Sequence, residues 1–199
     1  MIRRLIGSNS RFATLAFVAV AVTGVACRDF TGVPASLATI TDSGTVFSLN
    51  GAPLGAPTAL HAFSGTLIPA DANFVFDIAF DIGTNPGEVI VLPQRAVASG
   101  LATTHQVSLA TVADTFEAVT AVPKGLTFRA DTAMTLKRNQ VLIAQVSDAT
   151  ACGFSLTGTT LFAKVVVTAI NHDTRQMQVK YTVDPNCGFK SFASGVPKD

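Results

Sequence analysis

The sequence predicts an all-β protein: a single antiparallel β-sandwich of about 8–10 strands, with a closed β-barrel as the alternative. Residues 73–82 (NFVFDIAFDI) show the period-two alternation of a strand with one buried face. The chain is also rich in Val, Thr, Phe and Ile. Similar short segments recur every 8 to 15 residues or so, a spacing typical of sandwiches and barrels.

The predicted strands are separated by turn sequences. In residues 73–82, Asp77 and Asp81 lie on the face opposite the apolar residues, and we expect that face to be exposed. The turn GTNPGE and the apolar run 89–92 then complete a hairpin. The apolar face expected to be buried consists of Phe74, Phe76, Ile78, Phe80 and Ile82. The other predicted strands are residues 45–49, 105–109, 115–120, 126–130, 140–146, 160–170 and 176–183.

The last two predicted strands form a second hairpin whose register follows from their apolar faces. If the apolar residues of one strand lie opposite the apolar residues of the other, the connecting loop has an odd number of residues and is centred on Asp173. The expected partners are Ala169 with Met177, Val167 with Val179, and Val165 with Tyr181.

The first 26 residues have the pattern of an export signal. Arg3, Arg4 and Arg11 give a positive leading segment, and residues 12–22 are almost entirely apolar. This run is shorter than the roughly 20 residues that a membrane-spanning helix needs. Gly24 and Ala26 supply small residues at alternate positions, as cleavage by a signal peptidase needs.

The stretch that ends in Cys27 resembles the lipobox of bacterial lipoproteins, although Gly24 stands where that family prefers Leu. The resemblance implies cleavage before Cys27, acylation of its thiol, and anchoring on the extracytoplasmic side of a bacterial membrane. Two or more acyl chains give stable anchoring. Residues 27–41 would then be a lipid-anchored tether, and residues 42–199 the β-sandwich domain. The alternative is ordinary cleavage after Ala26 and release of the protein.

Cys152 and Cys187 are predicted to form a disulfide. An exported protein meets an oxidising compartment, and with Cys27 acylated the remaining cysteine count is even. The hairpin register also carries Cys187 close to the Gly-rich turn that starts at Cys152.

The charge balance argues against nucleic acid or anionic lipid as a partner. Removal of residues 1–26 leaves 11 basic and 13 acidic residues, with no run of Lys or Arg. The expected partners are the membrane, through the N-terminal acyl chains, and a protein.

No catalytic, cofactor-binding or metal-binding residue is predicted. His61, His105 and His172 lie in separate segments, without a second ligand at metal-binding spacing. Asp77 and Asp81 would lie roughly 13 Å apart along one strand, too far for a pair of glycosidase carboxylates. Asp81, with Asn85 and Glu88, is at most a weak calcium-site pattern.

The function expected from the sequence is therefore a non-enzymatic binding or structural module at the cell envelope, meeting a protein partner through a surface or an edge strand. The first alternative is a barrel that carries a small apolar ligand. The second is a hydrolase whose site assembles only in three dimensions, around His61 or His105 with an acid and a hydroxyl.

Overall fold

The computed structural model describes residues 34–198, except 72, 74, 101–104 and 154. The predicted signal peptide and Cys27 lie outside these residues. Within them, the chain forms a two-sheet antiparallel β-sandwich. No helix of the described residues is long and apolar enough to cross a membrane.

The strands of the described residues are mostly short and are joined by turns. In chain order the elements are β1 (Ile40–Phe47), β2 (Ala59–His61), β3 (Thr66–Ile68), β4 (Ile78–Ile82), β5 (Glu88–Pro93), α1 (Gln94–Val97), β6 (Gln106–Val112), β7 (Arg129–Ala130), β8 (Met134–Lys137), β9 (Val141–Ser147), β10 (Thr160–Asn171) and β11 (Gln176–Asp184).

The two sheets have no strand in common, so each sheet has its own two edge strands. The six-stranded sheet has the order β1-β11-β10-β9-β6-β7, and the five-stranded sheet has the order β3-β2-β4-β5-β8. The sandwich prediction is therefore confirmed, and the closed-barrel alternative is wrong. The sheets face each other across a core of alternate strand residues, which includes Leu60, Phe80, Leu142, Val165 and Tyr181.

A second apolar layer covers the outer face of the six-stranded sheet. The long connection from β6 to β7 lies across this face and packs Phe116 and Val119 against Ile143 and Phe162. The chain after β11 completes the layer with Phe192, whose N–H donates to the carbonyl of Thr120. Both faces of this sheet are therefore partly buried, although only one faces the other sheet.

The β10–β11 hairpin follows the predicted register over part of its length. Val165 faces Tyr181 and Val167 faces Val179, as expected. A β-bulge at Thr168 then shifts the pairing, so Met177 faces Ile170 instead of Ala169. The loop has four residues, 172–175, and the prediction of an odd number is wrong because the bulge adds one residue to β10.

The exposed face predicted for residues 73–82 is wrong at Asp77. The strand β4 begins only at Ile78, and Asp77 is buried where the chain enters it. Its carboxylate accepts a hydrogen bond from the N–H of Ala62 and faces His105. Ala79, on the same face, is buried in a small outer cluster with Phe76.

Several short elements differ from the prediction. Residues 115–119 form a turn instead of a strand, because Phe116 and Val119, three residues apart, face the sheet together. Segment 58–63, which is not among the predicted strands, contains β2. The sequence pattern also missed β3 and β8, which are only three and four residues long.

The domain begins earlier than the predicted boundary at residue 42. The strand β1 starts at Ile40, inside the last part of the expected tether. Before it, the side chain of Asn186 accepts hydrogen bonds from the N–H groups of Ser36 and Leu37 and donates one to the carbonyl of Leu37. The described part of the tether is therefore held against the domain.

Candidate functional site

Cys152 and Cys187 form the predicted disulfide. Their Cα atoms are 5.8 Å apart, and the bridge links the turn after β9 to the end of β11. Cys152 is buried, and Cys187 nearly so. Cys27, the predicted site of lipidation, lies outside the described residues.

A cluster of three ionisable residues, Asp77, His105 and Asp148, lies at the end of the sandwich that also holds the disulfide. Asp77 precedes β4 of one sheet, whereas His105 precedes β6 and Asp148 follows β9 of the other. Nε2 of His105 lies 3.0 Å from Oδ1 of Asp77, and its Nδ1 lies 3.4 Å from Oδ2 of Asp148. We call these three residues the acid–histidine cluster; it connects the two sheets at this end.

The cluster favours a protonated imidazole. Burial alone lowers the pKa of His105, but the hydrogen bond and charge of Asp77, together with Asp148, outweigh it and raise that pKa above its ordinary value. Burial raises the pKa of Asp148, but the N–H groups of Ala151 and Thr150 and the charge of His105 bring the net pKa below normal. The arrangement is a charge-paired bridge between sheets.

The hydrolase alternative requires a histidine that contacts both an acid and a hydroxyl, and His61 and His105 lie in different surroundings. Nδ1 of His61 lies 2.7 Å from the hydroxyl of Ser64, at an exposed turn. His105 contacts two acids instead. In a catalytic triad one ring nitrogen faces an acid and the other a nucleophile. In His105 both ring nitrogens face carboxylates.

Asp81 lies in a different setting from Asp77, at the opposite end of the sandwich. It accepts a hydrogen bond from the hydroxyl of Ser48 and lies 3.4 Å from a guanidinium nitrogen of Arg175. The Nε of Arg175 also donates to the carbonyl of Asn50. These contacts connect the β10–β11 turn to the other sheet. In the β4–β5 turn, the side-chain amide of Asn85 donates a hydrogen bond to the carboxylate of Glu88. Among the described residues no three His, Cys, Asp or Glu side chains are grouped closely enough to hold a metal ion.

An open groove of about 600 Å³ lies on the outer face of the six-stranded sheet. Gln145 of β9 and Thr160 and Phe162 of β10 form its floor, because alternate residues of these strands point away from the core. One wall is the end of the β6–β7 connection, residues 122–128. The other wall combines residues 157–158 with residues 188–190.

The second wall depends on a close approach of two backbones. Gly188, with φ of 87°, donates its N–H to the carbonyl of Thr160 at 2.8 Å. A Cβ at this position would lie 2.5 Å from the carbonyl oxygen of Thr157. Only glycine therefore lets the chain after β11 lie beside the β9–β10 loop at this point.

The groove combines aromatic and polar lining residues with basic margins. The rings of Phe128 and Phe162 lie with centroids 6.4 Å apart, at 54° to each other. Lys124 and Lys190 are exposed, and no residue that lines the groove carries an acidic side chain. The groove is thus suited to an apolar side chain that lies next to a carboxylate.

The sequence did not reveal the groove. Its walls come from three segments that are far apart in the chain, and Lys124 and Lys190 are isolated lysines. Comparisons of the chain with protein-family models, with curated proteins and with solved structures find no match.

Proposed function

We propose that this protein is exported, is anchored to the extracytoplasmic side of a bacterial membrane through acyl chains on Cys27, and acts as a non-enzymatic binding module. Its binding site is the groove, which holds a short segment of a partner protein. The observation that carries the binding role is the combination of aromatic lining and basic margins around Phe128, Lys124 and Lys190.

The acid–histidine cluster supports a non-enzymatic role over a hydrolase. A general base must have a free nitrogen within reach of the proton that it removes. Both nitrogens of His105 are directed at carboxylates, which raise the pKa of the ring above its ordinary value despite its burial. Carriage of an apolar ligand inside a barrel is not proposed, because the sheets do not close.

The chemistry of the groove favours a protein segment with an acidic residue or a C-terminal carboxylate beside an apolar side chain. The half-buried ring of Phe128, which lies beside the buried Phe162, offers apolar contact area, and each lysine supplies a point charge for a carboxylate. Gln145 and Thr160 supply polar groups at the floor for a backbone amide or carbonyl.

The anchor is tested by changing the cysteine. Cys27→Ala should abolish acylation, and the protein should leave the membrane fraction or remain as unprocessed precursor. Mass spectrometry of the protein recovered from membranes should show the acyl mass on Cys27 in the wild type. An unchanged membrane fraction of fully processed Cys27→Ala protein would overturn the anchor.

The groove is tested by zero-length coupling in isolated membranes that carry the full chain. A carbodiimide joins a lysine amine to a carboxylate, with loss of water, only when the two are in contact. We expect Lys124 or Lys190 to become linked to an acidic residue or C-terminus of one partner protein. The exposed Lys137 of β8 serves as the internal control and should remain unlinked.

A matched pair of variants completes this test. The double variant Lys124→Gln, Lys190→Gln should lose the linked partner, and Lys137→Gln should keep it. Partner peptides linked only to lysines outside the groove would overturn the proposed site. Hydrolysis of an ester, peptide or glycoside that is lost in His105→Gln would overturn the non-enzymatic role.

A further inference from the structure

A second surface feature lies where the described chain begins. Three of the exposed large apolar side chains, Leu37, Phe63 and Leu156, line a shallow recess of about 260 Å³ together with Phe189. Leu156 is 86% exposed and Leu37 is 48% exposed. No residue that lines the recess has a charged side chain. We call these four residues the tether-end patch.

The patch is built from four separate parts of the chain that the fold holds together. Leu37 precedes β1, Phe63 lies in the β2–β3 turn, Leu156 lies in the β9–β10 loop and Phe189 follows β11. The disulfide and the side chain of Asn186 fix three of these parts to one another. Exposed apolar side chains gathered in this way mark an interaction site more often than scattered ones do.

The length of the chain between Cys27 and the patch limits how far the patch can lie from the membrane. Pro34 lines the recess, and only residues 28–33 separate it from Cys27. At about 3.3–3.6 Å per extended residue, this segment reaches at most about 25 Å. An acylated Cys27 lies at the membrane surface, so the recess can be no farther than this from the bilayer.

The opposite end of the sandwich cannot take this position. The strand β10 begins at Thr160, near the patch, and runs for 12 residues to the β10–β11 turn. At about 3.3 Å per residue, the turn lies roughly 35–40 Å from the patch end, which is beyond the reach of the tether. The short tether and the exposed apolar residues therefore both indicate that the patch end of the sandwich faces the membrane.

We propose that the tether-end patch is a membrane-contact surface: Leu37, Phe63 and Leu156 enter the boundary between headgroups and acyl chains of a phospholipid bilayer. The proposal rests on the anchor at Cys27 proposed above. The acyl chains supply the attachment, and the patch fixes the orientation of the sandwich on the membrane. Each apolar side chain that enters this boundary leaves water, which favours the docked orientation.

The chain contains no tryptophan, which allows a direct test. Leu156→Trp places a single fluorophore on the patch. Leu54→Trp places one at a fully exposed position after β1, at the end of the sandwich that carries the β10–β11 turn. Each full-chain variant is purified from membranes and reconstituted into vesicles of phosphatidylethanolamine and phosphatidylglycerol, with or without bromine on the acyl chains.

We expect the Leu156→Trp variant to show blue-shifted emission and an about twofold loss of fluorescence in brominated vesicles, because bromine quenches only indoles near the acyl chains. The Leu54→Trp variant should show neither effect. Vesicle flotation and the acyl mass on Cys27 are measured on the same samples.

These readouts separate the two proposals. If both variants float with vesicles and neither is quenched, the anchor stands and the membrane-contact surface is overturned. The same conclusion follows if sedimentation shows that the patch is covered by a second copy of the chain. If Cys27 carries no acyl mass and the Leu156→Trp variant neither floats nor is quenched, both proposals are overturned.

Discussion

Each of three charged residues buried in this sandwich has a partner that offsets the cost of leaving water. Asp77 accepts from a backbone N–H and faces His105, and Lys164 donates to two backbone carbonyls. Burial raises the pKa of Asp184, although the N–H and side-chain amide of Asn186 partly offset this effect. Buried charges are stable only when they are paired in this way. Loss of a partner at any of these three residues should therefore destabilise the fold.

The acid–histidine cluster should make stability depend on pH above neutrality. His105 has a raised pKa in the folded state, so its contribution is complete below the unfolded value of about 6.5. It is lost as pH rises through the folded pKa. We expect the thermal unfolding midpoint to decrease as pH rises above about 6.5, and His105→Gln to remove that slope. His172→Gln, in the exposed β10–β11 turn, should keep it.

At acid pH, Asp148 makes the stability of the fold depend on pH in the opposite direction. Its pKa is lowered in the folded protein, so its contribution is present above the unfolded value and is lost as pH falls through the folded pKa. Calorimetric scans across both pH ranges measure the two effects. An equal alkaline slope in wild type and His105→Gln would contradict the assignment of the slope to this histidine.

Lys164 holds the β6–β7 connection on the outer face of the sheet. Its Nζ donates to the carbonyls of Phe116 and Val119 at 2.6 and 2.8 Å and lies 4.0 Å from the centroid of the Phe116 ring. Lys164→Met should cost about 1–3 kcal/mol, because two carbonyls lose their donor. Urea denaturation measures the loss, and faster amide exchange in residues 113–128 should accompany it.

Lys180→Met is the matched control for this prediction. Lys180 also lies over the Phe116 ring, but its ion pair with the exposed Glu117 is accessible to water. Pairs of this kind contribute about 0–1 kcal/mol. A loss in Lys164→Met no greater than that in Lys180→Met would mean that the two carbonyl bonds do not hold the connection.

At the scale of elements, the pattern of apolar residues predicts the long strands and misses the short ones. The strands β10 and β11 have many alternating positions, so both their existence and most of their register follow from the sequence. The bulge at Thr168 does not follow, because Ala169 and Ile170 are both apolar and either could continue the core face. In the structure Ile170 packs against the core and Ala169 is exposed. The three residues of β2 are too few to show a period.

The disulfide connects elements that no direct strand pairing joins. It links the β9–β10 loop to the end of β11 with a sequence separation of 35 residues. Closing a loop of this size should stabilise the fold by about 3–4 kcal/mol in the chain-entropy model. We expect the double variant Cys152→Ala, Cys187→Ala to lose about that amount in urea denaturation.

Reductant provides the control for the disulfide prediction. Reduction of the wild type should give a loss close to that of the double variant, whereas the double variant should not respond to reductant. A loss under about 1 kcal/mol in both cases would show that hydrogen bonds around Cys187 hold the two segments without the bridge.

At the scale of the whole molecule, the sequence indicates the architecture but not the surfaces that carry the proposed function. The alternation of apolar and polar residues and the turn sequences are local signals, and they are sufficient to predict a fold of two sheets. The groove and the tether-end patch each combine at least three distant segments, and Lys190, Phe63 and Leu156 have no local pattern that distinguishes them. The burial of Asp77 was missed for the same reason, since its partner His105 is supplied by the other sheet.

The two surfaces are neighbours, because Thr157 lines both the recess and the groove. With the tether-end patch on the bilayer, a partner in the groove would be held close to the membrane surface. This geometry depends on where the tether leaves the domain. Asn186 fixes that point through its hydrogen bonds to Ser36 and Leu37, so removing its side chain should free the segment before β1.

Asn186→Ala should therefore release the segment of about residues 34–38 from the domain. Loss of these bonds, each worth roughly 1 kcal/mol, should increase cleavage by thermolysin next to Leu37 by about tenfold or more. Ser36→Ala is the control, because only the backbone N–H of Ser36 makes the contact. The fragments are identified by mass spectrometry of the full chain after timed digestion. Equal cleavage rates in Asn186→Ala and Ser36→Ala would show that Thr39, whose N–H donates to the carbonyl of Gly195, holds the segment without Asn186.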